Sequence, residues 1–297
     1  MTGPGMRNHE DARDDAALVA AARAGDRGAL ELLLTRYQPR VYRFGMKMCR
    51  HPEDAEDILQ ETLITMTRSI GDFRGASSLS TWLWTIARSF CMKKRRRSKF
   101  APEREESLDA DVETSGAARA VADPGRSPDE EVADRELRRA LEAAIDHLEP
   151  MYREVLVLRD VEGLTASEVA AVLDLSIEAV KSRLHRARLA VRAEVAPLLA
   201  PGAPEPQAAA GGSCPDVLSL WSRNLEGEVN PELCAELERH VAACPRCRAA
   251  CDSLKQTLVL CRTAETPAVP PSIQAAVRKA IRELTLAPPS HAPRPHP

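Results

Sequence analysis

The amino-acid sequence predicts an all-α protein built from small helical domains. Aromatic residues make up only 3% of the 297 residues, whereas alanine, leucine, arginine and glutamate are abundant, which favours helical modules over a sheet sandwich. The length is large for one compact domain and suits two or three small ones. We therefore expect two small helical domains joined by a flexible linker, followed by a small helical C-terminal domain.

The first predicted domain spans residues 14–99 and follows a loose polar tail. Helical periodicity begins near Asp14, and the segment after Cys49 predicts a helix with apolar residues on one face and four polar residues on the other. The polar set is Asp54, Asp57, Gln60 and Glu61. Such a face is either solvated or a docking surface. Cys49 and Cys91 lack ligand-like spacing, so we expect them to be buried small hydrophobic residues.

A basic helix follows from about Ser80 to Arg97. Its core stripe is apolar, whereas hydroxyl groups, cations and two Trp side chains occupy its other faces. Cations neutralise phosphates and exposed rings stack on unpaired bases, so this helix suits nucleic acid. The alternative is that both Trp side chains belong to the core and the basic run is only solvated. The candidate contacts are Ser80, Thr81, Trp82, Trp84, Arg88, Lys93, Lys94, Arg95, Arg96 and Arg97.

These two helices carry a family resemblance. The run DAEDILQETLITMTR, followed by FRGASSLSTWLWTIARSFCMKKRRR, resembles region 2 of bacterial sigma factors of the extracytoplasmic-function group. In that family the acidic helix binds the clamp helices of RNA polymerase β′, and the next loop and helix capture the non-template strand of the minus-ten element. The resemblance implies that the acidic face binds core RNA polymerase and that the segment from Ser77 to Arg97 holds promoter DNA.

Residues 100–130 are acidic, contain Pro, Gly and Ser, and show little periodicity. This composition cannot bury enough apolar surface to order itself, so we expect a flexible tether. A second helical domain is predicted at residues 131–196. There Thr165 and Glu168 predict a capping box, and Ser176 predicts the N-cap of the next helix after a tight turn. Two helices joined in this way indicate a helix-turn-helix.

The second helix of this motif leaves polar and basic residues for its outer surface. They are Lys181, Arg183, His185, Arg186 and Arg188. In such a helix the N-terminal residues read base edges and later cations grip phosphates. The alternatives are a generic amphipathic hairpin and a response regulator of the LuxR kind. Beside the first resemblance, the motif is similar to sigma region 4, which in the family binds the minus-thirty-five element and the β flap.

The cysteine-rich part of the chain predicts a zinc site. His240, Cys244 and Cys247 form H-x3-C-x2-C, which places one nitrogen and two sulfurs near a helix end at distances that a tetrahedral Zn²⁺ accepts. Cys214 is the expected fourth ligand, because the loop that it begins can fold back. The pattern resembles zinc-binding anti-sigma domains, in which a distant upstream Cys or His precedes H-x3-C-x2-C.

Three further cysteines, Cys234, Cys251 and Cys261, exceed the needs of one such site and are candidate sensing thiols. Soft thiolates also bind Cu(I) and Cd²⁺, so copper or cadmium is an alternative to zinc. Sigma factors of the CorE kind, which carry a cysteine-rich C-terminal domain and respond to metals, are similar in layout. Disulfide exchange among these thiols is the redox alternative.

Composition sets the boundaries of the C-terminal region. We expect a linker at residues 197–213, the zinc domain at residues 214–264 and a Pro-rich tail at residues 265–297. The tail contains one short amphipathic segment. Its apolar face consists of Ile273, Val277, Ile281 and Leu284. A lone helix of this length is marginal in water unless its apolar stripe is buried, so it docks either on the sigma domains, as in anti-sigma domains, or on the zinc domain.

The sequence contains no apolar run long enough to span a membrane and no secretory signal, so we expect a cytoplasmic protein. It also lacks a nucleophile and base arrangement or a phosphate loop, so we expect no enzyme activity. The prediction is a sigma factor with a fused domain that responds to metal or redox state and contacts the sigma domains. The alternatives are a polymerase-independent helix-turn-helix regulator with a structural zinc domain and a zinc-dependent interaction protein.

Overall fold

The computed structural model describes residues 6–49, 51–100, 128–199, 214–264 and 266–286. Within these residues it contains twelve α-helices and no β-strand, which confirms the predicted all-α class. The helices are α1 (Met6–Arg23), α2 (Arg27–Met48), α3 (Pro52–Ser69), α4 (Leu79–Phe100), α5 (Pro128–His147), α6 (Pro150–Leu156), α7 (Ala166–Leu173), α8 (Ile177–Leu199), α9 (Val217–Asn224), α10 (Pro231–Ala243), α11 (Pro245–Arg262) and α12 (Pro271–Leu286).

The helices belong to two compact units. The first unit contains α1 to α4 together with α12, and the second contains α5 to α11. The tail helix thus joins the predicted first domain, whereas the cysteine-rich helices join the helix-turn-helix. The predicted tether at residues 100–130 falls largely on residues 101–127, outside the described part of the chain, and α5 already begins at Pro128.

The core of the first unit lies between α2, α3 and α4. Leu33, Phe44, Leu59 and Leu83 are fully shielded from solvent there. The two helices α2 and α3 approach closely at Gly45, where an added Cβ would lie 3.0 Å from the Cα of Ala55. A larger residue would therefore push the acidic helix α3 away from α2.

Helix α1 begins at Met6, earlier than the Asp14 that periodicity indicates, because the residues in between are polar and give no apolar pattern. The helix is anchored through buried Asp15. This carboxylate accepts hydrogen bonds from the Arg36 guanidinium, at 2.6 Å, and from the Tyr37 hydroxyl. Burial, assisted by Asp15, raises the pKa of Tyr37, so the phenol stays protonated.

The helix-turn-helix signals in the second unit are confirmed. The backbone N–H of Glu168 donates to Thr165 Oγ1 at 3.2 Å, and that of Thr165 donates to Glu168 Oε2 at 2.9 Å, which completes the capping box at the start of α7. Asp174 ends α7 in the left-handed region, with φ of 55°. Ser176 Oγ then accepts from the Ala179 N–H at 3.1 Å and starts α8.

Helix α8 is longer than the motif requires. It runs to Leu199, so the first three residues of the predicted linker at 197–213 continue the helix, and Pro197 lies in its last turn. Residues 200–213 lie outside the described part. The cysteine-rich helices α9 to α11 then enclose a small core in which Val217, Leu237 and Cys251 are buried, and α9 and α11 both pack against α8.

Candidate functional site

The acidic face of α3 lies where the sequence places it. The Asp57 side chain is 58% exposed, Glu61 is exposed, and Asp54 and Gln60 are half-buried. Lys94 of α4 reaches across to this face, with Nζ 3.0 Å from Asp54 Oδ1 and 2.5 Å from Asp57 Oδ2. The hydrogen bond to Asp57 raises the pKa of Lys94. The predicted polymerase-binding and DNA-binding residues therefore meet at Lys94.

The two Trp side chains of α4 have different environments. Trp84 is fully buried, and its ring lies 5.2 Å from that of Phe44, so the expectation that it is exposed for base stacking is wrong. It shares a helical face with buried Ala87 and Cys91, at intervals of three and seven residues. Trp82 is half-buried, and its ring centroid lies 5.1 Å from that of Phe73.

Most of the other candidate contacts on α4 remain at least partly accessible. Thr81 is buried in the first turn, where its backbone N–H donates to Ser78 Oγ at 3.1 Å, so Ser78 caps the helix start. The Arg97 side chain lies outside the described part. The accessible or half-accessible candidates are Ser80, Arg88, Lys93, Lys94, Arg95 and Arg96. They give α4 a cationic surface next to Trp82.

Among the residues predicted for the outer surface of α8, Arg188 differs most from its predicted position. It is 2% exposed, and its guanidinium donates to both Asp160 oxygens at 2.8 and 2.7 Å and to Glu226 Oε1 at 2.8 Å. Arg159 also donates to Glu226, at 3.2 Å. The outward placement was wrong because Arg188 follows buried Leu184 by four residues and shares the core face of the helix.

The loop and helix around Glu226 contact other predicted DNA-binding residues. Lys181 Nζ lies 3.7 Å from Glu228 Oε1, and His185 Nε2 lies 3.2 Å from Ser219 Oγ. Arg183 is half-buried, whereas Arg186 is exposed and donates to the Tyr152 hydroxyl. Asp160, Ser219, Glu226 and Glu228 were not identified from the sequence. The acidic pair in the run NLEGEVN is a local signal that could have indicated a cation-binding loop.

The contact between α8 and α9 leaves some buried polar atoms without a hydrogen-bond partner. They are His185 Nδ1, Trp221 Nε1 and Ser222 Oγ. Burial lowers the pKa of His185, and Arg223 and Arg188 lower it further, whereas Asp216 and Glu228 oppose them. The contact thus favours a neutral imidazole. Unsatisfied buried groups each cost about 1–3 kcal/mol, which makes this contact easier to open than a satisfied core.

Four predicted metal ligands come together between α9, α10 and α11. The ligand atoms of Cys214, His240, Cys244 and Cys247 all lie within 4.8 Å of one another. The sulfurs of Cys214 and Cys244 are 4.0 Å apart, and His240 Nε2 lies 3.2 Å from the Cys247 sulfur. Sulfurs that share a tetrahedral zinc ion are about 3.8 Å apart, so the four residues fit one Zn²⁺.

The candidate sensing thiols do not join this group. Cys251 is fully buried in the small core, Cys261 is buried farther along α11, and half-buried Cys234 lies 4.0 Å from Glu238 Oε1. Within the described residues, no second group of three or more ligands is found. The donor set of three cysteines and one histidine indicates zinc, and nothing in it supports copper or cadmium.

The tail helix packs on the acidic helix. Within the first unit α12 lies against α3, and its Val277 is 2% exposed. Just before α12, Thr266 Oγ1 accepts a hydrogen bond from Arg43 at 2.8 Å. The sequence left two surfaces open for the tail helix, the sigma domains and the zinc domain. In the structure the helix packs on the first sigma domain. Within the described residues no helix is long and apolar enough to cross a membrane.

Comparisons with known proteins agree with this arrangement. Residues 33–101 match sigma-70 region 2, residues 138–191 match sigma-70 region 4 and residues 214–248 match a zinc-finger family. The ECF RNA polymerase sigma-E factor of Haemophilus influenzae is 31% identical over 185 residues, which cover 62% of this chain and 97% of that protein. The RNA polymerase sigma-H factor of Pseudomonas aeruginosa is 30% identical over 189 residues, which cover 62% and 95%.

A solved structure of the sigma factor RpoE in complex with the anti-sigma factor NepR from Bartonella quintana is 23% identical, covers 57% of this chain and 95% of that one, and has a TM-score of 0.41. The paired helical modules define a promoter-recognition factor for RNA polymerase. The chain belongs to the extracytoplasmic-function group of the sigma-70 family and carries a C-terminal zinc-finger domain. It therefore binds RNA polymerase and promoters and directs transcription initiation, and it is not an enzyme.

Proposed function

We propose that this sigma factor is restrained by its own C-terminal part, which covers the promoter-reading helix and flanks the polymerase-binding helix. When this restraint is released, the acidic face of α3 binds the β′ clamp helices of core polymerase. That face consists of Asp54, Asp57, Gln60 and Glu61. The segment from Ser77 to Arg97 holds the minus-ten strand, and α8 reads the minus-thirty-five element beside the β flap. The partner polymerase places the protein in the cytoplasm.

The observation that carries this proposal is the buried ion cluster of Arg188, Asp160 and Glu226. Its Arg188 and Glu226 side chains are 1% and 5% exposed. Phosphate oxygens cannot approach cations that are already paired with carboxylates inside a closed interface. Because Glu226 and Glu228 face Arg188 and Lys181, the loop between α9 and α10 offers the carboxylates that compete with promoter phosphates.

The zinc site is the element that holds this loop in place. Cys214 precedes α9, and His240 lies near the end of α10, so one metal ion would tie together both ends of the segment that carries Glu226. Loss of the metal or oxidation of its thiolates would release the segment, because such small domains lack a core large enough to fold alone. Metal or redox state would thereby set the access of α8 to DNA.

The tail helix α12 restrains the first domain, which carries the polymerase-binding helix. Helix α12 lies on α3, whose acidic face we propose as the polymerase contact, while Asp57 and Glu61 stay exposed beside it. The clamp helices would therefore meet a helix already flanked by α12. A polymerase that binds the acidic face would have to displace the tail or accept less contact area.

Truncation tests the regulatory proposal. A chain that ends at Leu199 should initiate at least ~10-fold more transcripts than the full chain in run-off reactions with purified core polymerase, because the restrained state lowers the competent fraction. Transcripts from total genomic DNA are counted by their 5′ ends, which requires no known promoter. Equal initiation by the two chains, with and without a zinc chelator, would contradict the restraint.

Charge reversal tests the polymerase contact. The double variant Asp57→Lys, Glu61→Lys should bind core polymerase ~10-fold or more weakly than the wild type, because two exposed carboxylates become repulsive. Binding is measured by fluorescence anisotropy of labelled sigma factor. Glu31→Lys on α2, also exposed, is the matched control. Equal losses in the control and the double variant would point to net charge rather than to this face.

A further inference from the structure

The first unit contains a cysteine pair away from the zinc site. Cys49 ends α2, where its backbone N–H donates to the Gly45 carbonyl at 2.8 Å. Cys91 lies in the middle of α4 and is 1% exposed. The Cys91 thiol is hydrogen-bonded to Cys49, although the two residues are far apart in sequence. The structure therefore brings together two thiols that the sequence spacing did not connect.

The surroundings of the pair favour a reactive thiol at Cys49. Cys49 is half-buried, so a small oxidant can reach it, whereas Cys91 is shielded and adjacent. The hydrogen bond from Cys91 lowers the pKa of the Cys49 thiol and outweighs the effect of burial, which raises it. Lys94 and Arg95 lower this pKa further, and Asp54 opposes them. A partly exposed thiol near cations, with a second thiol beside it, is the arrangement that redox-sensitive cysteines share.

We propose that Cys49 and Cys91 form a reversible redox pair, which hydrogen peroxide converts into a disulfide between α2 and α4. The Cys49 thiolate attacks one peroxide oxygen, so an S–O bond forms, the O–O bond breaks and hydroxide leaves to become water. Cys91 then loses its proton and attacks the Cys49 sulfur. The S–S bond forms, the S–O bond breaks and a second water leaves, so two thiols are oxidised and one peroxide is reduced.

The disulfide would act on the neighbouring acidic face. Cys91 precedes Lys94 by less than one helical turn, and Cys49 precedes the start of α3, which carries Asp54. The crosslink would close a loop of about forty residues and fix the end of α2 to α4. It should therefore raise the melting temperature of the first unit by ~5 °C or more.

Peptide mapping of the full-length zinc-loaded protein tests the pair. After treatment with a slight excess of hydrogen peroxide and blocking of free thiols, we expect a crosslinked peptide that contains Cys49 and Cys91 and disappears on reduction with dithiothreitol. Wild-type protein is sufficient for this measurement, so it does not depend on a variant that folds. Full alkylation of both residues, or a sulfinic acid at Cys49 beside a free Cys91, would overturn the proposal.

Variants separate this pair from the cysteine-rich domain. Cys91→Ala should abolish the crosslink and the rise in melting temperature, whereas Cys234→Ser, which changes another half-buried thiol, should leave both unchanged. A peroxide-induced rise in melting temperature that persists in Cys91→Ala would assign the effect to another cysteine and contradict the inference. Truncation results on the C-terminal restraint do not decide this outcome, because the crosslink is measured in the full-length protein and joins α2 to α4.

Discussion

Glu226→Gln should raise the affinity of the full-length protein for duplex DNA by about 10- to 100-fold. The Glu226 carboxylate is 5% exposed and neutralises Arg188 and Arg159 within the second unit. Removing one partner of a buried ion pair costs about 3–5 kcal/mol, and Arg188 keeps its bidentate pair with Asp160, so we expect a smaller cost of about 1.4–2.8 kcal/mol. About 1.4 kcal/mol corresponds to a factor of ten in an equilibrium constant. The variant therefore loses most of the free-energy difference that favours the closed contact over the open one.

The measurement is fluorescence anisotropy with a labelled duplex of random sequence at two salt concentrations. Release of the basic residues of α8 should also steepen the decline of affinity with salt, since more phosphates are neutralised. Glu236→Gln on α10, an exposed carboxylate of the same domain, should bind like the wild type. Glu228→Gln, which removes only the partly exposed pair with Lys181, should give about a twofold gain. If Glu226→Gln keeps its normal zinc content and binds DNA with unchanged affinity, then Glu226 does not compete with promoter phosphates, and this part of the proposal is wrong.

Local signals in the sequence predicted the parts of the fold that depend on neighbouring residues. The capping box of Thr165 and Glu168 and the N-cap of Ser176 act within one helical turn, so they can be identified without tertiary information. The spacing of His240, Cys244 and Cys247 across one helix junction likewise fixes three ligands in space. These features follow from geometry over fewer than ten residues, and the structure reproduces them.

The errors arose where helical faces were assigned by residue type rather than by periodicity. Trp84 and Arg188 were predicted to lie on outer surfaces because aromatic and basic side chains can bind DNA. Both follow the core stripe of their helix, and both are buried. Periodicity alone would have placed them inside. It would not have identified the partner of Arg188, because Asp160 and Glu226 lie 28 and 38 residues away in sequence.

The position of the tail helix was beyond sequence reasoning for a different reason. An apolar stripe shows that a helix must be covered, but it does not determine which surface covers it. The packing of α12 on α3 joins elements from opposite ends of the chain, as does the hydrogen bond between Arg43 and Thr266. The same limit applies to Cys49 and Cys91, whose contact depends on how α2 and α4 cross.

Cys247→Ser should remove the metal and unfold the cysteine-rich helices. Cys247 lies in the first turn of α11, is 4% exposed, and belongs both to the ligand group and to the small core. Structural zinc contributes about 10–16 kcal/mol to the folding of small domains, which exceeds what a core of this size can supply. We therefore expect zinc content to fall from about one per chain to near zero, with loss of hydrogen-exchange protection in α9 and α10.

The same variant links the metal to the promoter-reading helix. When α9 unfolds, Glu226 no longer faces Arg188, so affinity for the random duplex should rise at least as much as in Glu226→Gln. Cys234→Ser is the matched control, because this half-buried thiol lies outside the ligand group and should keep zinc, protection and affinity. If Cys247→Ser loses zinc while its DNA affinity stays at the wild-type value, then the metal stabilises the domain without governing access to α8.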